Sequence, residues 1–237
     1  MKHHTSMIKN LLRAFAFSIA LHAMAHAQTT PPAEMGKFDR VTGRVSVTAP
    51  GSEARVPDRG SVVFSGEVVT TEENSEAVIT SMDGARMTLR AKSRLEMTDY
   101  RYDQSNNNGS FITSLLRGSV RMISGLIGKT QPRNHQVITS TATVGIRGTD
   151  FEVVVTETDT DDMRAGTYDH VFDGETFLTI ASGETLDVPK DKTGLALANP
   201  REGEARLQLL DSRPAFIRGG GFDAMQLLQT RPLMIRR

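Results

Sequence analysis

The sequence predicts an all-β fold on three observations: side chains alternate with period two, glycines recur at turn spacing, and two Asp-Gly pairs stand between strand-like runs. Of the 20 glycines in the 237 residues, 15 fall between Gly43 and Gly194, a mean spacing of about 11 residues, the interval at which short strands end in turns. Between them apolar and polar residues alternate: Val45 and Val47, Met87 and Leu89 among Arg86, Thr88 and Arg90, and Leu95 and Met97 among Arg94, Glu96 and Thr98. Val120 and Met122 flank Arg121, Phe151, Val153 and Val155 interleave with Asp150 and Glu152, and Leu186 and Val188 flank Asp187. Such a pattern puts one face of a strand in a core and the other in water. Asp83-Gly84 between 76–81 and 86–91, and Asp173-Gly174 between 168–172 and 175–181, predict type I′ hairpins, because glycine accepts the positive φ of that turn. Polar loops are read at Thr71–Glu76 and Ser105–Ser110, and about 13 short strands fill the region from Phe38 to Val188.

The ends read differently. Lys2, Lys9 and Arg13 precede the apolar run Ala14–Leu21, and Ala25-His26-Ala27 follows. A basic head, a short apolar middle and an A-x-A end form a secretory signal peptide, so residues 1–27 are expected to be removed and the exported chain to begin at Gln28. Removal takes three of the 28 basic residues and no acid, and four of the six histidines, leaving His135 and His170. Residues 28–37 read as a linker, 38–197 as the β body and 198–237 as a linker and tail. In that tail Asn199–Gly203 is a connector, Ala205–Leu210 a helical turn, and Gly219-Gly220-Gly221 a joint. Phe222, Met225 and Leu228 then recur at helical spacing ahead of Pro232.

Composition excludes several classes of function. With 38% hydrophobic and 24% charged residues the chain is globular rather than disordered. Zero cysteines remove disulfides, thiolate nucleophiles and Cys-containing zinc sites. The 28 basic residues balance 28 acidic ones, which argues against nucleic acid, whose phosphates are bound by excess Lys and Arg. Aromatics at 5% and no tryptophan leave little for the girdles of a membrane barrel. No apolar run reaches the roughly 18 to 20 residues of a spanning helix.

A set of segments in order carries a family resemblance. It runs from Gly43-Arg44-Val45 through the stretch Gly66 to Thr71, with Thr70 and Thr71 at its end, then Ala77-Val78-Ile79, Asp83-Gly84-Ala85-Arg86-Met87-Thr88-Leu89 and Leu116-Arg117-Gly118-Ser119-Val120. It closes on Thr139 to Phe151, ending in Gly145-Ile146-Arg147-Gly148-Thr149-Asp150-Phe151, with Val171-Phe172-Asp173-Gly174 to Gly183-Glu184 beyond. This order resembles the FecR domain, a periplasmic β-rich module named after the ferric citrate regulator, over roughly Phe38 to Leu197. The resemblance implies a solenoid-like or double-layered sheet without catalytic residues or cofactors. Regulators of the family carry a cytoplasmic helical anti-sigma segment and one membrane span ahead of the module. Neither is legible here, and the expectation is a stand-alone exported member.

Within the signature, Gly145 and Gly148 bracket Ile146-Arg147, where absent Cβ atoms permit a bulge or close backbone approach. Arg147 is expected to be buried and to bond carbonyls or a carboxylate such as Asp150 or Asp83, locking neighbouring strands, with direct ligand or partner binding as the alternative. Candidate chemistry is sparse. Gly125–Thr130 ends like a phosphate loop, but the first glycine of that pattern falls on Ile123, so a tight turn is expected. Asp159, Asp161 and Asp162 lack the later glycine and glutamate of a calcium loop and read as a solvated acidic loop. His135 and His170 have no nucleophile beside them and read as structural. No nucleophile elbow, zincin motif or dinucleotide fingerprint is present. The reading is therefore a non-catalytic periplasmic binding, signalling or scaffold module with an envelope protein as partner. The alternative is a structural envelope protein binding peptidoglycan or another polysaccharide, for which Tyr100, Tyr102 and Tyr168 are the available aromatic faces.

Overall fold

The computed structural model describes residues 31–161 and 163–217. The expected cleavage site at Ala25, Ala27 and Gln28, Asp162 of the acidic loop, and the glycine joint and helix read beyond Gly219 lie outside the described residues. The chain divides into two compact units after Pro32, and every element below belongs to the second.

Fourteen strands follow one another among the described residues: β1 Glu34–Thr42, β2 Val45–Thr48, β3 Val62–Phe64, β4 Val68–Thr71, β5 Glu76–Ser81, β6 Arg86–Leu89 and β7 Arg94–Asp103, then β8 Asn108–Ile123, β9 His135–Ile138, β10 Thr143–Thr156, β11 Gly166–Thr179, β12 Thr185–Pro189, β13 Thr193–Leu197 and β14 Leu207–Leu210. One short helix, α1 Leu126–Thr130, and two 3₁₀ turns, Pro132–Asn134 and Ala215–Ile217, complete the set. The all-β class is as expected, and hydrogen bonding links all 14 strands into one open sheet.

Three strands are far longer than the short ones expected: β8 has 16 residues, and β10 and β11 have 14 each. Each changes partners half-way. The first part of β8 pairs with β7 and, in parallel, with β9, and its last residues pair with β6 and β10. In β10, Thr143–Gly145 pair with β9 and Asp150–Val155 with β8. In β11, Gly166–His170 pair with β13 and Glu175–Thr179 with β12. At each change stands a glycine in the left-handed region: Gly118 at φ +80, Gly148 at +64 and Gly174 at +80. An L-residue with a Cβ is strained there, so glycine lets a continuous strand turn out of one layer into another. The first layer holds β2, β4, β7, β9, β12 and one end of each long strand. The second holds β3, β1, β5, β6, β13, β14 and the other ends.

The alternation then makes sense of the core. Val47, Val69, Leu95, Leu115, Val137 and Val144 of the first layer and Ile79, Met87, Leu89, Val120, Phe151 and Val153 of the second join one continuous buried cluster. Polar ties cross between the layers as well. The Thr167 hydroxyl lies 2.6 Å from those of both Thr139 and Thr141, and Thr176 on one arm of β11 donates to Asp169 on the other.

Several expectations are corrected. Asp173-Gly174 is not a hairpin: β11 runs straight through it, because β10 pairs along both sides of the bend. At Asp83-Gly84 the hairpin exists, with Thr80 paired to Arg86, but only Gly84 has positive φ. The turn closes through Gly84 N to Ser81 O and Ser81 N to Ala85 O, a wider loop than type I′. Glu34–Lys37, read as linker, belongs to β1, which buries Met35. Leu207–Leu210, read as a helical turn, is β14, drawn into strand geometry by the free edge of β13. Asn108, read as loop, opens β8.

Asp169 is fully buried, and one of its oxygens has no hydrogen-bond partner among the described residues. Burial pushes its carboxyl from 3.8 up to about 7. Between those values the unfolded chain releases the proton while the folded chain keeps it, so this residue makes stability fall as pH rises through that window, by a few kcal/mol in all. Urea unfolding of the wild type and of Asp169→Asn at pH 4.5 and pH 8 checks this. The variant should lose a large part of the decline, and an unchanged pH slope would contradict the assignment.

Candidate functional site

The period-two pattern that buries Phe151, Val153 and Val155 should leave Glu152 in water. It does not. Strand register sets Thr88 of β6 beside Arg121 of β8, Arg121 beside Glu152 of β10, Glu152 beside His170 of β11, and His170 beside Thr193 of β13. All five are buried, although they lie on the outer face of the second layer. The cover is the segment 211–217, which runs back across that face after β14. Ile217 is buried with Tyr168, Leu195 and Leu197, and Phe216 meets the Tyr168 ring edge-on at 5.1 Å.

The charges under this cover are closely paired. Glu152 Oε1 lies 2.9 Å from Arg90 Nη2, and Arg213 Nη2 donates to Glu152 Oε2 at 2.9 Å. The same two arginines donate to the Ile217 carbonyl, Arg90 Nη1 at 3.1 Å and Arg213 Nη2 at 2.8 Å. Arg121 holds Asp150 through Nε at 2.8 Å and Nη2 at 2.7 Å, a bidentate pair. Its guanidinium lies 4.0 Å from the centre of the Phe172 ring, against which Arg213 also packs at 5.1 Å. His170 Nδ1 lies 2.9 Å from Thr193 Oγ1. Burial raises Glu152 to about 7 against the pull of Arg90, Arg213 and Arg121, and it lowers Arg90 to about 10. Burial, with Arg213 and Arg121 close by, lowers His170 to about 4, so its ring stays neutral at physiological pH. Both oxygens of Glu152 are engaged by guanidiniums and the chain covers the row, so the arrangement clamps a segment.

The signature residues serve elsewhere, at turns, bends and corners. Gly43 and Gly66 take positive φ in turns. At one corner the Ser93 amide donates to Thr71 Oγ1 at 3.0 Å, Ser93 Oγ donates to Ser119 O at 3.0 Å, and Gly118 lies so close that a Cβ would stand 2.5 Å from Ser93 Cα. Thr70 is paired in β4 beside it. At a second corner Asp83 accepts the first amides of α1, Leu126 N at its carbonyl and Ile127 N at Oδ2, and the Tyr100 hydroxyl accepts the Asp83 amide at 3.0 Å. From there Ser124 exchanges hydrogen bonds with Thr149 at 2.9 Å each way, and Thr149 Oγ1 donates to Glu175 O at 3.0 Å beside Gly148 and Gly174. Gly145 lies against the Phe177 ring, where a Cβ would stand 2.0 Å from a ring carbon, and Phe151 is in the core.

Arg147 requires a correction. Its side chain is 51% exposed and pairs with Glu175 at 3.1 Å and, more distantly, Asp187 at 3.9 Å, while Asp150 belongs to Arg121. The bulge at Gly148 directs it outward. The phosphate-like Gly125–Thr130 is α1, with its N-terminal amides already used by Asp83. His135 is buried, stacked 4.5 Å from Phe111, and lowered to about 4 by burial. Among the described residues no three His, Asp or Glu gather as metal ligands, and no helix is long and apolar enough to cross a membrane. An open groove of about 610 Å³ is lined by Tyr102, Asn108, Gln131 and Asn134, but these amides bond one another.

The family model described as FecR protein matches residues 67–175, from the start of β4 to just past the bend in β11. That match spans 109 of the 237 residues, a little under half of the chain. No curated protein matches the sequence. Two crystal structures of a candidate anti-sigma factor from Parabacteroides distasonis ATCC 8503 are similar, with TM-scores of 0.47 and 0.46 and 12% identity. The similarity covers 63% of this chain and 62% of theirs, so it spans about three fifths of those chains' length. The sheet around the FecR match extends beyond it in both directions, to β1 and to β14.

Arginine truncation separates the two roles. Arg121→Ala should cost about 3–5 kcal/mol, since Asp150 would be left unpaired with its side chain 14% exposed. Arg147→Ala should cost less than about 1 kcal/mol, as for an exposed pair. Urea midpoints of both variants check this, and the reverse order would restore Arg147 as the structural lock.

Proposed function

We propose that the chain is a non-catalytic contact module of the bacterial cell envelope, exported to the periplasm, that signals or scaffolds by binding another envelope protein. The observation that carries this reading is the FecR match itself, which falls on the bends and corners that build the body. The titratable groups support it. Glu152, Asp150 and the arginines around them are engaged in pairs that hold the fold, and His135 and His170 are buried and neutral. The hydroxyl beside His170, that of Thr193, is itself bonded to Ser212 O, a structural use rather than that of a nucleophile held ready for a substrate. A module with strands β12 and β14 at the edges of its sheet offers backbone groups to another chain.

Photo-crosslinking in cells tests the reading. Benzoylphenylalanine placed at exposed Leu209, Leu116 and Val56 in turn should capture one reproducible envelope protein at one of these positions. Enrichment of the uncrosslinked protein on purified peptidoglycan, with no protein captured, would favour the polysaccharide alternative. Turnover of a glycan or peptide that is abolished by one Asp or Glu change in a folded variant would contradict both.

A further inference from the structure

The segment 211–217 is fastened in an unusual way for a piece of chain closing an apolar layer. Its anchor is a half-buried arginine, Arg213, on a fully buried carboxylate, Glu152, and its last carbonyl is held by Arg90. Other attachments include Lys192 to Asp211 at 2.9 Å, the Thr193 hydroxyl to Ser212 O at 3.2 Å, Arg213 on the Phe172 ring, Phe216 on Tyr168, and Ile217. A buried ionic cluster stabilises less than apolar side chains of the same volume, and its best-attested use is to fix register or to serve as a switch. The rise of Glu152 to about 7 beside three guanidiniums points the same way, since burial outweighs their pull.

What lies beneath takes a short segment that ends in a 3₁₀ turn, as Ala215–Ile217 does. Across β10, β11 and β13 run Val154, Tyr168, Leu195 and Leu197, bordered by Glu152 and Arg90. Glu152 and Arg90 present an acceptor for a guanidinium and a donor for a carbonyl. Tyr168 presents a ring edge for an aromatic. Opening the segment would leave the core cluster between the layers intact, because only Ile217 is buried deeply, and with the outer-face residues.

We propose that residues 211–217 are a releasable clip occupying, in cis, a peptide-binding strip on the outer face of the second layer. The clip gives way to a segment of a partner protein that carries an arginine and, three residues later on a 3₁₀ turn, an aromatic side chain, as Arg213 and Phe216 do. The proposal rests on the reading of the chain as a protein-contact module and adds to it where contact occurs and which chemistry it selects.

The probe is a fluorescein-labelled heptapeptide of sequence Asp-Ser-Arg-Pro-Ala-Phe-Ile, measured by polarisation against the full chain. Arg213→Ala combined with Phe216→Ala weakens the cis competitor, so this variant should bind the peptide at least tenfold more tightly than the wild type. Adding Glu152→Gln, or replacing the peptide's arginine by alanine, should reverse the gain. Equal binding by wild type and variant, or indifference to the peptide's arginine, overturns the proposal. Should the variant fail to fold, hydrogen exchange on the wild type decides: the Ile217 amide, bonded to Pro214 O, should open at lower free energy than the amides of β10 and β11. Equal protection overturns the clip. Capture of an envelope partner in cells together with a negative peptide result removes the clip and leaves the contact reading standing, whereas capture of no protein removes the contact reading itself.

Discussion

A β-strand cannot leave one layer and enter another without a residue that tolerates a backbone turn sterically closed to a side chain. Three strands of this molecule make that passage, and each does so at one left-handed glycine: Gly118, Gly148 and Gly174. Everything else is arranged around the three bends. They let one hydrogen-bonded sheet bury two inner faces against each other, and they bring Asp169 and Thr176, seven residues apart on one strand, into contact across the core. Serine and threonine hydroxyls fill the corners the bends create, Ser93 with Thr71 and Ser119 at one, Ser124 with Thr149 at the other. These groups satisfy backbone amides and carbonyls that a bent strand cannot pair with its neighbour, which is the condition for burying such a corner at all.

The same geometry explains where the charges lie. Folding the sheet over itself protects only the inner faces, and the second layer carries apolar residues on its outer face too, at Val154, Tyr168, Leu195 and Leu197. The segment 211–217 closes that face, and the row of Arg121, Glu152, His170 and Thr193 is buried as a consequence. Chemistry and architecture are thereby coupled: the ionic cluster has its carboxylate saturated by arginines that also hold the covering chain. A site built this way holds or releases a piece of polypeptide.

Much of this was legible in the sequence, and the failures share a cause. Alternation located β6, β7, the end of β8 and the second half of β10, because period two is a local property of a strand. Gly118, Gly148 and Gly174 all belong to the series of turn-spaced glycines, yet a glycine signals only that positive φ is allowed. Whether it makes a hairpin or a bend depends on what pairs alongside, and for Gly174 that partner is β10, some 25 residues earlier in register. Arg147 and Arg121 are likewise indistinguishable by local pattern. The first projects at a bulge into water, and the second lies under residues about 90 positions further on. Glu152 was assigned to a solvated face by correct alternation. The signal that its face is covered stood beside it, in the unbroken run Val153-Val154-Val155 and in the wholly buried β13, since a strand apolar on both faces is covered on both.

If the bends make the two layers a single cooperative structure, the layers cannot unfold separately. Methyl NMR through a urea titration follows both at once, with Val69 and Val137 reporting the first layer and Val153 and Val171 the second. The account predicts that all four lose their folded signals at one midpoint. A first layer that melts while Val153 and Val171 keep native signals, or the reverse, would contradict it.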